Sequence, residues 1–295
     1  MSYIDHDLPT PGPNYALRGE GPVLLVALTG WNDAGEGASA ALTELVQQFG
    51  AQQVAQFETQ RFYDYQVNRP EVSVQPGGDR KLTWPTTTIS QLELPGGPAI
   101  YLLQGTEPSL NWVDYTDEIL AVASGLDVRT IICAGALLSD NPHTRPVVIN
   151  ASSDSAMVRE RFDAVVSDYE GPTGIIGVLA LRAHQAGFLT MSLWAGIPHY
   201  VANSPAPAAS FALLERLASL LAVHPDYSRL IAQRDAWLET VQVLLEEDEE
   251  MQDYVRQLEE SREAAEHPAA TGEAIARDFE MFLRLEGDKK QPPPA

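Results

Sequence analysis

Apolar residues in this 295-residue chain come in two patterns: short solid runs, and longer stretches where they recur every three or four positions. A solid run suits a strand buried on both faces, and the three-to-four spacing suits a helix with one apolar side. Val23 to Leu28, set between Gly21-Pro22 and Thr29-Gly30, therefore predicts a central parallel strand. A polar, Gly-rich loop follows, and then Ala38, Ala41, Leu42, Leu45, Val46 and Phe49 share one helical face. The unit returns further on. Ala99 to Gln104 predicts a second buried strand, leading to a helix that carries Leu110, Val113, Ile119, Leu120 and Val122, with Ser109 as its N-cap. Asp127 to Leu138 holds the next strand and runs into a polar loop; the helix after Gly174 reaches Gly187, and Leu189 to Ala195 is the last strand. Shorter signals predict strands at Gln53 to Glu58 and Pro146 to Asn150, an edge strand at Ile89 to Leu94, and a helix at Ser155 to Phe162. Turns fall at Asn68-Arg69-Pro70 and Pro76-Gly77-Gly78-Asp79. A helix over Ala206 to Val223 closes an α/β domain with a mostly parallel sheet.

Past His224-Pro225 the chain turns to acids and helix formers. Trp237, Val241, Leu244, Met251, Val255 and Leu258 keep an alternating four-three spacing, broken by Asp248, which predicts a coiled-coil-like seam of about three heptads. The run Glu246 to Glu250 marks a solvated face or a bend between two helices. Ile275, Phe279, Phe282 and Leu285 define a last amphipathic helix before a Pro-rich tail. The expected division is an α/β domain over 1–223 and an acidic helical region over 224–295. The narrow seam makes that region an interaction surface, dispensable for folding the rest.

Charge narrows the function. With 41 Asp+Glu against 19 Lys+Arg and a net charge of -22, the chain lacks the clustered cations that phosphate contacts need, so nucleic acid is not an expected partner. The single cysteine, Cys133, has no disulfide partner in the chain, which suits a reducing cytoplasm. The amino terminus has neither the basic start nor the apolar core of an export signal, and no stretch approaches the roughly 20 apolar residues of a membrane span.

Candidate chemistry gathers in the loops after the strands. Gly35-Glu36-Gly37-Ala38-Ser39-Ala40 formally fits the dinucleotide fingerprint GxGxxA. It starts too late after the strand, however, and Asp33 and Glu36 would repel a pyrophosphate, so no cofactor is expected. No GxSxG elbow, HExxH or paired metal spacing occurs, and Cys133 sits mid-strand, so neither a nucleophile nor a metal site is expected. One set remains: Asn32 and Asp33 after the first strand, Glu107 after the third, His143 and Arg145 after the fourth, Glu170 before a helix, and His199 after the last. Parallel strands would bring several of these to one rim, where two carboxylates and two imidazoles could do acid–base work. The same residues could serve structure alone: Asp33 and Glu170 at helix starts, Arg145 paired with a carboxylate such as Asp33 or Glu107.

These stretches resemble the proteasome assembly chaperone 2 family in its actinobacterial form. The resemblance rests on Gly30-Trp31-Asn32-Asp33-Ala34-Gly35, Glu107-Pro108 with Trp112, Pro142-His143-Thr144-Arg145-Pro146, Glu170-Gly171-Pro172-Thr173-Gly174, and Ser192-Leu193-Trp194-Ala195 with Pro198-His199-Tyr200-Val201. It implies a three-layer αβα domain related to phosphorylase/hydrolase-like folds, a helical carboxyl-terminal region, and self-association. Family members elsewhere act as chaperones in proteasome assembly. Some dock through a carboxyl-terminal hydrophobic-Tyr-any residue motif, which Pro292-Pro293-Pro294-Ala295 does not carry, so docking by that route is not expected. The expectation is a cytoplasmic, non-catalytic homo-oligomer that presents its acidic helices to a protein partner. The alternative is a small-molecule hydrolase or phosphorylase-like enzyme working at the strand-end rim.

Overall fold

A computed structural model describes residues 20–94, 96–201, 205–246 and 248–266. The expected helix around Ile275 to Leu285, the Pro-rich tail and the first 19 residues lie outside that set.

The solid run at Val23 becomes β1 (Val23–Thr29), the centre of a seven-stranded sheet. The other strands are β2 (Ala51–Gln56), β5 (Thr87–Leu92), β6 (Ile100–Thr106), β7 (Thr130–Ser139), β8 (Ile149–Ser152) and β9 (Leu189–Pro198), in the order β2-β5-β6-β1-β7-β9-β8. β6, β1, β7 and β9 run parallel; β2, β5 and β8 pair antiparallel. A separate hairpin joins β3 (Glu71–Val74) to β4 (Arg80–Thr83) through the predicted Gly77-Gly78 turn.

Alternate residues of each buried strand feed opposite layers, as the pleat requires. Val23, Leu25 and Ala27 face α1 (Gly37–Phe49) and α6 (Pro207–Leu221), in a core with Ile132, Ala134, Leu193 and Leu214. Leu24, Val26 and Leu28 face the other way, with Tyr115 and Ile119 of α3 (Trp112–Gly125) and Ile176 and Leu179 of α5 (Ile175–Gln185). The result is the expected three-layer α/β sandwich. Cys133 lies in the second core, where burial pushes its thiol up to about 12 and leaves it a small hydrophobe. Two short helices, α2 (Thr59–Phe62) and α4 (Ala156–Phe162), pack at the margins.

Three local expectations change. The strand at Ile89 is interior, between β2 and β6, because β2 takes the edge. Ser109 does not cap α3; its hydroxyl accepts from the Asp64 N–H and bonds Asn68, while left-handed Asn111 holds the cap position. Of the two readings of the acidic run, the break between helices is the observed one, α7 (Ser228–Glu246) ending there and α8 (Glu249–Glu266) beginning, but the seam residue before it changes. Leu244 is 62% exposed, and Leu245 takes the buried position with Val241 and Val255. These three join the same core as α1 and α6, so the apolar interior crosses the expected boundary at 223. Dispensability of the helical region does not follow from its composition. Among the described residues no helix is long and apolar enough to cross a membrane.

Candidate functional site at the strand ends

Because β6, β1, β7 and β9 are parallel, their carboxyl ends share one rim, but sheet order decides which loops meet. β6 neighbours β1, so Glu107 meets Asn32; β7 neighbours β9, so the His143 loop meets Tyr200. All the candidate residues but Glu170 fall into two clusters.

The first is a knot. Glu107 Oε2 accepts the Trp31 N–H at 2.9 Å; Oε1 accepts Asn32 Nδ2 at 3.0 Å and the Ile175 N–H at 3.4 Å. One carboxylate thus ties the end of β1 to the start of α5, whose positive end favours the charge. Two glycines make room. Gly30 has φ +133 and an added Cβ would stand 2.9 Å from Glu107 Cβ; a Cβ at Gly174 would come within 2.3 Å of Asn32 Oδ1. Asn32 is 1% exposed, and its main-chain carbonyl accepts the Ala136 N–H of β7 at 2.9 Å. Asp33, also buried, points the other way. Its Oδ1 accepts the N–H groups of Ala38 at 2.7 Å and Ser39 at 3.2 Å, satisfying the first turn of α1. Burial raises its pKa above the ordinary 3.8, against the pull of its Ser39 and Ala38 bonds. Glycines 35 and 37 of the apparent fingerprint meet protein: an added Cβ would lie 2.7 Å from Ala206 and 3.0 Å from Ala209 respectively. They let α1 approach α6, a packing role that explains the spacing.

The second cluster is a clasp on α8. The Tyr200 hydroxyl accepts the His143 N–H at 2.8 Å and lies 2.8 Å from its Nδ1, and the Tyr200 ring meets Tyr254 of α8 edge-on. Thr144 donates to Glu259, Arg145 pairs with Glu263, and His199 Nε2 stands 3.6 Å from Asp140. The partner of Arg145 is therefore a carboxylate on α8, not Asp33 or Glu107. Both members are solvent-exposed, so Arg145→Ala should cost about 0–1 kcal/mol in a denaturant titration, as surface pairs do. Glu170 stays exposed in the loop before α5, whose first N–H goes to Glu107 instead. Sequence reasoning passed over Glu259 and Glu263, although their i,i+4 spacing puts both carboxylates on one helix face.

Burial lowers the His143 pKa below its ordinary 6.5, with nearby Gln242 and the Glu259 charge pulling it up. The unfolded chain then takes up a proton that the folded one resists. The contribution of His143 to stability is complete above about pH 6.5 and falls as the pH drops below that value. Denaturant midpoints should therefore decline on acidification, and decline less in His143→Asn than in the parent. Equal slopes would show that His143 is not the group responsible.

The model of the PAC2 family matches residues 27–245. The chain belongs to the PAC2 family. A PAC2 family protein of known structure from Streptomyces avermitilis is 40% identical, covering 79% of this chain and 99% of that one, with a TM-score of 0.74. A proteasome-assembly chaperone homologue from Mycobacterium tuberculosis is 39% identical over 79% of this chain and 99% of its own, TM-score 0.72. An archaeal proteasome activator from Pyrococcus furiosus shares the fold at 15% identity, covering 80% and 96%, TM-score 0.63. No curated protein matches. The PAC2 match takes in both clusters up to α7, while all of α8 lies beyond it.

Proposed function

We propose that this PAC2-family chain is a non-catalytic, cytoplasmic homo-oligomer of the proteasome-assembly-chaperone type. Its α/β domain, 1–223, self-associates, and its acidic helical region, 224–295, is presented to a protein partner. One observation carries the non-catalytic reading: the groups that would do acid–base work are engaged in holding the fold. Glu107 accepts N–H groups from two parts of the chain, Asp33 accepts two from α1, and His143 is bonded to Tyr200. The chaperone role is supported by the resemblance to the M. tuberculosis homologue.

The test is assembly of proteasome α and β subunits from the same source, with and without this protein. Faster or more complete assembly is expected; no change at any ratio would remove the chaperone reading. A parent protein that turns over nucleosides, amides or esters, with turnover lost in a stably folded His143→Ala variant, would put the enzyme reading in its place. Self-association should survive, or tighten, as salt rises, because screening weakens the repulsion between subunits of net charge -22. Light scattering that shows a monomer at micromolar concentration in both low and high salt would remove it.

A further inference from the structure

The two edges of the sheet end differently. β8 lies at one, and there Val165 already supplies main-chain bonds: its carbonyl accepts the Ser153 N–H at 2.9 Å, and its own N–H goes to the Ala151 carbonyl at 3.0 Å. β2 lies at the other edge, paired to β5 on one side alone. Among the described residues, none of Ala51 to Gln56 makes a main-chain bond outside that pairing, and Gln52, Gln53 and Val54 are exposed. A row of N–H and C=O groups therefore faces outward as a template for another strand. Proteins keep such edges apart with charges, proline or bulges. β2 carries a bulge between Gln53 and Ala55, but from Leu45 to Phe57 the chain holds neither a charged residue nor a proline.

Charge and symmetry indicate what completes the edge. Two copies of net charge -22 repel over most of their surface, and an uncharged edge is where they can approach. Antiparallel pairing about a two-fold axis lets each outward donor meet an acceptor on the same strand of the other copy. The side chains suit that symmetry: Gln52, Gln53 and Gln56 each carry donors and an acceptor, so glutamines of the two copies can bond one another. We infer that β2 of one copy pairs antiparallel with β2 of a second, joining two seven-stranded sheets into one across a two-fold dimer. The axis stands perpendicular to the sheet, so each helical layer continues on its own side. Exposed Glu58 lies beyond one end of the contact, and exposed Glu93 donates its N–H to Gly50 at the other, so salt tightens the pairing by screening these acids. This inference rests on the self-association proposed above and names its surface.

Sedimentation of the full chain tests it at Val54, near the middle of β2 and 42% exposed. With the strands centred on Gln53 or Val54, each Val54 lies opposite or diagonal to its own counterpart on one face, roughly 5–8 Å away. The parent should sediment as a dimer. Val54→Lys and Val54→Glu each set like charges together and should sediment as single chains, with a dissociation constant raised about tenfold or more. Mixed in equal amounts, the two variants should form a dimer again, because each lysine then meets a glutamate. The site is exposed, so the circular dichroism of each variant should match the parent. A parent assembly that survives in either variant would overturn the surface while leaving self-association standing. Dissociation of both without recovery on mixing would also overturn it, since the strand would then meet something other than its own copy. A monomeric parent would overturn both readings.

Discussion

Glu107→Ala should lower the stability of this protein by about 3–5 kcal/mol, seen as a fall in the urea midpoint at neutral pH without a change of slope. The size follows from what the carboxylate holds. Two of its three bonds are short, to the Trp31 N–H and to Asn32 Nδ2, and the third reaches Ile175 at the start of α5. Bonds to a charged acceptor are worth about 1.5–3 kcal/mol each, and the Asn32 amide, 1% exposed, cannot turn to water when its acceptor is gone. Glu107→Gln keeps one acceptor oxygen and should recover about half the loss. The sign for function is equally definite. If Glu107 served as a general acid or base, its loss would abolish turnover and leave the midpoint almost unchanged, because such a group acts on the transition state. A Glu107→Ala protein as stable as the parent would dissolve the knot as described and reopen the rim as a site of chemistry.

The knot also shows how far the sequence could be read. Strands such as Val23 to Leu28 and Thr130 to Ala136 were legible because both faces are buried, which leaves a solid apolar run. Loop positions at the rim were legible as well, since a parallel strand must deliver its following loop to the same edge. What the sequence could not show was sheet order. Glu107 and Asn32 lie 75 positions apart, and only the placement of β6 beside β1 makes them neighbours. Nor could it show the partner of Arg145: β7 lies beside β1, yet it is α8, far along the chain, that supplies Glu263. Heptad reading failed at Leu244 for a related reason. An ideal helix drifts by about 20° per heptad against a strict 3.5 repeat, and α7 lies on α6 as a packed helix, so Leu245 faces the core in its place.

A chain that ends at Val223 should fail to fold cooperatively, being insoluble or melting without a clear transition. Composition alone argues the opposite, because an acidic, helix-forming region after His224-Pro225 looks detachable. The packing decides otherwise. Leu230, Val241, Leu245 and Val255 are each no more than 7% exposed and share their core with α1, α6 and β9. Burying such a side chain is worth about 1.5–3 kcal/mol, so the four together carry about 6–12 kcal/mol before the entropy of ordering α7 and α8 is subtracted. That gross figure is comparable to the whole stability of an ordinary domain, roughly 5–15 kcal/mol. Truncation would also bare the α6 ring of Phe211, which now meets Tyr227 edge-on and lies under the Arg234 guanidinium. It would strip Glu44, 3% exposed on α1, of its Arg229 partner. A chain that ends at Glu246 separates the contributions, since it keeps α7 with its Glu44–Arg229 pair and loses Met251, Val255 and the clasp on α8. It should stay soluble and melt cooperatively at a lower temperature than the full chain. If the chain ending at Val223 instead melts as one transition near the parent temperature, the core ends where the composition changes, and α7 and α8 only rest on its surface.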